Sequence, residues 1–240
     1  MSSFKAHIIA QLQKEILPLQ GYKPAAKGGL FGSGLGPIKY AFPNATFPLG
    51  AVHEFFCTSQ EDTSATNGFI AGILSSLVRD TGVLLWIGSG LIFPPALQSF
   101  GIKPDKIIFI DVLKPKEMLW TMEEALKCDG LSAVIGEMQE VSFTASRRLQ
   151  LAVEQSRVTG FIVRRNPKNL VTACVSRWRI TSLPTASTDL PGVGFPRWNV
   201  ELLKVRNGKP GAWQLEWVDG RFRHPYKLTS ISKDQHRKAV

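Results

Sequence analysis

From Phe47 to Arg165 the chain alternates short β-prone runs with helix-patterned stretches, and that alternation limits the folds open to it. AVHEFF leads into an apolar pattern at helical spacing over 66–79, followed by GVLLWIG, a run typical of a buried strand. PPALQSFG reads as a short helix and KIIFIDV as a strand. KEMLWTMEEALKC is an amphipathic helix with Met118, Met122, Ala125 and Leu126 on one side. LSAVIGEM is a strand, TASRRLQLAVEQSR a helix and TGFIVRR a strand. Parallel neighbours require crossover connections, so these strand–helix units predict a mainly parallel sheet flanked by helices on both faces.

Beyond Pro167 the helices stop. VTACVSRWRITSL is a long alternating run, and WNVELLKV and AWQLEWV flank the turn-rich RNGKPG as a β-hairpin. The expectation is an α/β core closed by a C-terminal antiparallel β extension, with TASTDLPGVGFPR as a Gly/Pro-rich loop within it. Before the core, Phe4, Ile8, Leu12 and Ile16 form an apolar stripe at helical spacing that ends at Pro18. A Gly/Pro-rich stretch follows, so residues 1–40 read as an N-terminal helical arm with a linker. That helix either folds back on its own core or docks in a groove of another protein. Residues 41–224 form the α/β domain, and 225–240 read as a basic tail without periodicity.

The segment CTSQEDTSATNGF, residues 57–69, lies between a strand and a helix, where a phosphate-binding loop would sit. Such a loop needs glycines so that its N–H groups can wrap phosphate, a lysine for charge and a Ser/Thr hydroxyl for Mg²⁺. Here Ser64 and Thr66 are present, but no glycine precedes Gly68, there is no lysine, and Glu61 and Asp62 would repel phosphate. Thr63 or Ser64 reads more simply as the N-cap of the helix that follows.

Other chemistry is equally absent from the pattern. Cys57, Cys128 and Cys174 form no CxxC and read as small core hydrophobes. His7, His53, His224 and His236 are far apart without metal-ligand spacing. Glu123 and Glu124 are adjacent on a helix and diverge. We therefore expect no enzyme activity, no cofactor and no metal. No apolar run approaches the roughly 18 residues of a membrane helix, and the N-terminus lacks signal-peptide features, so a cytoplasmic protein is expected.

The formal charge of +10 favours polyanions or acidic protein surfaces, or serves solubility alone. Arg147 and Arg148 open a helix, Arg164 and Arg165 end a strand, and Arg177 and Arg179 share one strand face. Lys204, Arg206, Lys209, Arg221 and Arg223, with Lys227, gather near the hairpin and its exit. They are the candidate contacts to a partner or to DNA, alongside Phe4, Ile8, Leu12 and Ile16. Trp178, Trp198, Trp213, Trp217 and Phe222 alternate as β-core residues rather than base-stacking platforms.

PLGAVHEFF with its following loop and helix resembles the start of the RecA ATPase core, and GVLLWIG, KIIFIDV, SAVIGEM and FIVRR follow in that order. LWIGSGLIFPPALQSFGI, LW…EEALKC, SAVIGE, RRLQLAVE and LLKVRNGKPGAW bring the resemblance closer to the ImuA family, over most of residues 47–217. The resemblance implies a RecA-like core and a role in bacterial translesion synthesis induced by DNA damage. It implies RecA and a Y-family-like polymerase subunit as partners, and through that subunit a replicative-type polymerase. In the RecA pattern the acid for Mg²⁺ corresponds to Glu137, which lacks a phosphate to serve, and the strand ending Trp86-Ile87-Gly88-Ser89-Gly90 carries no general base. Lys204 to Arg206 match basic residues that face a neighbouring subunit, and residues 4–17 match an N-terminal exchange element. The reading is a non-catalytic RecA-fold adaptor. Its alternatives are a SulA-like inhibitor of cell division, or a divergent RecA-like ATPase or DNA-binding protein.

Overall fold

The computed structural model describes residues 35–77, 82–88, 92–168, 171–185 and 194–225, with residues 5, 7, 8, 11, 12, 15 and 16 ahead of them. Phe4, most of the linker, Lys227 and the tail beyond Pro225 lie outside the described residues. Nine strands form one sheet: β1 (Val52–Cys57), β2 (Val83–Gly88), β3 (Ile107–Asp111), β4 (Leu131–Met138), β5 (Thr159–Arg165), β6 (Ser176–Leu183), β7 (Arg197–Val205), β8 (Gly211–Val218) and β9 (Arg221–Arg223). Three α-helices cover it: α1 (Gln60–Leu77), α2 (Pro115–Lys127) and α3 (Phe143–Ser156). The sheet order is β3-β2-β4-β5-β1-β6-β7-β8-β9.

The first six positions of that order are parallel and the last three antiparallel. One expectation shifts. The strand after Pro167 belongs to the parallel part, because β6 pairs with β1 in parallel register, His53 opposite Ser176. The reason lies in the segment between β5 and β6, whose described residues, 166–168 and 171–175, form no helix. They are pinned by Ala173 N donating to Ser146 Oγ at 2.9 Å and Val175 N donating to Val52 O at 2.9 Å. The antiparallel extension therefore starts at β7.

Strands with both faces covered are expected to be buried along their length, and β1, β2, β4 and β5 largely are, with Glu54 and Arg164 as buried charges among apolar neighbours. Alternate residues of each strand face two cores. Beneath α2 and α3, Val52, Val134 and Ile162 meet Met122, Leu126, Leu149 and Val153. The four α2 residues expected on one side are all buried. On the other face α1 is wrapped by aromatic rings from the core strands and the extension: Phe55 stacks on Trp178 with centroids 5.8 Å apart, and Phe69 meets Phe222 at 4.9 Å. The contact is close enough that a Cβ at Gly72 would come within 2.6 Å of Phe222. Trp178, Trp198, Trp217 and Phe222 are buried as their alternation requires, whereas Trp213 is only half-buried against the same core. Among the described residues no helix is long and apolar enough to cross a membrane.

Candidate functional site

The C-terminal ends of the parallel strands meet the N-terminus of α1. β1 ends at Cys57 and α1 begins at Gln60, so only Thr58 and Ser59 connect them. The stretch expected to be a loop up to about residue 66 is helix from Gln60 onward. Its cap is Ser59, not Thr63 or Ser64: Asp62 N donates to Ser59 Oγ at 3.0 Å, and Thr63 N to Ser59 O at 3.1 Å. Thr63 and Ser64 instead turn their hydroxyls back onto the carbonyls of Ser59 and Gln60. The cause is local. Ser59 followed three positions later by Asp62 is a helix-start signature, and Glu61 and Asp62 in the first turn offset the positive end of the helix dipole. Thr58 Oγ1 secures Asp62 with a 2.8 Å bond to Oδ2. A two-residue connection cannot supply the run of N–H groups that cradles a phosphate, and the helix end that would attract one already holds carboxylates.

Glu137 closes β4 beside this junction. Its Oε1 accepts a 3.0 Å hydrogen bond from Trp86 Nε1, and Arg165 lies 3.8 Å from Oε2. A side chain at Gly88 would strike this carboxylate, with a Cβ 2.9 Å from Glu137 Cδ. Among the described residues no three His, Cys, Asp or Glu side chains gather in a metal-holding group.

The strongest polar cluster is not legible in the sequence pattern. Glu54 is buried in β1 and pairs with Arg164, which is 0 % exposed. Arg177 Nε and Thr172 Oγ1 each donate to Glu54 Oε2 at 2.8 Å, and Arg164 Nη2 reaches Glu140 Oε2 at 3.1 Å. The cluster ties β1, β5 and β6 to the return segment. One signal is present: a glutamate inside the apolar run VHEFFC can be buried only with cationic partners.

His53 sits on the opposite face of β1, stacked on Phe47 at 4.3 Å. Trp178 Nε1 donates to Ser176 Oγ at 2.7 Å, Ser176 Oγ lies 2.6 Å from His53 Nδ1, and His53 Nε2 lies 2.8 Å from Pro48 O. A carbonyl can only accept, so Nε2 carries the proton and Nδ1 accepts from the serine. Burial holds the imidazole neutral, with a pKa lowered to about 4 despite the opposing Pro48 bond. Burial also pushes the Cys57 thiol up and Cys174 to about 12, consistent with inert core thiols. Cys128 departs from that expectation: it is exposed, because it lies just past the last turn of α2.

The candidate contact residues fall into three places. Lys204, Arg206 and Lys209 surround the β7–β8 turn, where Lys204 Nζ reaches Thr172 O and Arg206 reaches Ala173 O, each at 3.2 Å. Arg221 and Arg223 lie on β9, at the other end of β8, about 25 Å away at the rise of an extended strand. Arg223 pairs with Asp219 at 3.1 Å. The two basic groups are thus not one cluster. Ile8, Leu12 and Ile16 lie on helical turns and are 40 %, 48 % and 45 % exposed, while Phe4 falls outside the described residues.

A mostly parallel sheet between helices, opened by a strand that runs straight into a helix and continued by antiparallel strands, defines a RecA-like domain. The crystal structure of the RadB recombinase matches it with a TM-score of 0.51, covering 75 % of this chain and 93 % of that one at 10 % identity. In sequence the chain is 34 % identical over 213 residues to Protein ImuA of Caulobacter vibrioides, in strain NA1000 / CB15N and in strain ATCC 19089 / CIP 103742 / CB 15 alike. The alignment covers 82 % of this chain and 87 % of the relative, and the chain belongs to the ImuA family. No protein-family model matches it.

Proposed function

We propose that this protein is a RecA-fold adaptor in translesion synthesis induced by DNA damage, working through protein contacts rather than nucleotide hydrolysis. The observation that carries the reading is the β1–α1 junction: two connecting residues, a side-chain cap and two acids where a nucleotide's phosphates would need a glycine loop and a lysine. Membership of the ImuA family supports the cellular setting. A RecA-type recombinase and a Y-family-like polymerase subunit are the proposed partners.

The outer surface supports an interaction role. β3 is an edge strand of the described sheet, and it exposes Ile108 on the α2 side and Phe109 on the α1 side. Apolar surface at an unpaired strand edge is the kind a partner covers.

Purified protein should show no melting shift with Mg-ATP and no hydrolysis above a blank. A ligand at a thousandfold excess over its Kd stabilises the folded state by about 4 kcal/mol, so binding would be plain in a thermal scan. A saturable shift would sink the non-catalytic reading. Deleting residues 1–20 is expected to abolish capture of a RecA-type partner in a pull-down. Undiminished capture would move the docking surface off the arm and onto the folded domain.

A further inference from the structure

A cavity of about 320 Å³ opens between α1 and the 3₁₀ turn Pro94–Phe100, with Trp198 at one end. Ile92, Phe93 and Phe100 give it apolar walls, and Gly68 leaves its floor low. No charged side chain lines it among the described residues, although the chain carries 29 Lys and Arg. Phosphates, nucleic acid and charged metabolites therefore find no counter-charge there. One polar group is out of place. Asn67 is 7 % exposed, and its Oδ1 has no hydrogen-bond partner among the described residues. A buried amide oxygen left unpaired is costly, and an occupant bringing a hydrogen-bond donor would relieve it.

We propose that this cavity seats the chain's own N-terminal helix, with one residue of the Ile8–Leu12–Ile16 stripe as anchor. Two observations converge on that occupant. The stripe is exposed and a helix this short is marginal in water unless it packs on something. The arm also starts next door. The 3₁₀ turn Gly36–Ala41 packs on β8 and β9, with Gly36 against Phe222, whose ring lies 5.9 Å from that of Trp198.

Residues 17–34, 18 by count, separate stripe and turn, and 18 residues can span at most about 60 Å, so the stripe can reach the cavity of its own chain. Attachment to the same chain makes that encounter intramolecular, so at micromolar protein it is favoured over a second copy's cavity. A seated arm must leave the cavity before it can capture the RecA-type partner proposed above, so seating would compete with capture, while the crosslinking below tests seating without any partner.

The test uses the full-length chain with the exposed thiol removed by Cys128→Ser, since Cys57 and Cys174 are buried. Ala96→Cys at the cavity wall is combined in turn with Ile8→Cys, Leu12→Cys or Ile16→Cys, and with Lys14→Cys, which helical spacing puts on the far side. Mild oxidation at low micromolar concentration should give an intramolecular disulfide in most chains for at least one stripe position, and far less for Lys14→Cys. An Ile92→Trp background that fills the cavity, checked for an unchanged melting curve, should abolish the crosslink. Disulfide-linked dimers would assign the cavity to a second copy and overturn the proposal. So would equal crosslinking from Lys14→Cys, or none from any stripe position in variants that melt normally.

Discussion

Glu54→Ala is expected to destabilise the domain by about 3–5 kcal/mol, the usual cost of leaving a buried charge without its partner. Arg164 has no exposure to water, and Glu54 also receives Arg177 and Thr172, so one truncation unties β1, β5 and β6 together. Glu140→Ala should cost clearly less, because that carboxylate is half exposed. The double variant Glu54→Ala with Arg164→Leu should recover part of the loss by removing a buried guanidinium whose remaining carboxylate partner, Glu140, is half exposed. Urea unfolding midpoints give the order directly. A Glu54→Ala protein as stable as the parent would show that Glu140 alone satisfies Arg164.

The second large effect is a loss of stability in mild acid. His53 titrates near 4 in the folded protein against 6.5 when unfolded, so folding favours its neutral form. That contribution is fully present above about pH 6.5 and is lost as pH falls from 6.5 towards 4. The gap between those two values corresponds to about 3 kcal/mol. Carboxylates begin to titrate in the same range, so the informative quantity is the difference from His53→Gln. Glutamine can still donate to Pro48 O and accept from Ser176, and its stability should fall less between about pH 7 and about pH 4.5. Parallel curves for the two proteins would exclude His53 as the source.

Much of the fold is legible because its determinants are local. The faces of α2, the strand LSAVIGEM and the hairpin around RNGKPG follow from spacing and turn residues that act within a few positions. What is not legible depends on distant parts of the chain. The pairing of β6 with β1 is set by bonds between residues more than a hundred positions apart, such as His53 with Ser176. Glu54 and Arg164 look like ordinary charges until the sheet brings them together. The helix start is obscured for a different reason. A phosphate-loop template laid over residues 57–67 hides the earlier cap that Ser59 and Asp62 already spell. The missing glycines and lysine, by contrast, are plain in the sequence itself.

The place of β1 also sets a timetable for synthesis. The first described strand lies between β5 and β6, two of the later ones, so its hydrogen bonds cannot all close until Arg179 has emerged. At about 5–20 residues per second, VHEFFC waits on the order of ten seconds as an apolar, unpaired segment. Nascent chains arrested before β5 should therefore be captured by chaperones or aggregate, whereas chains arrested beyond β9 should not.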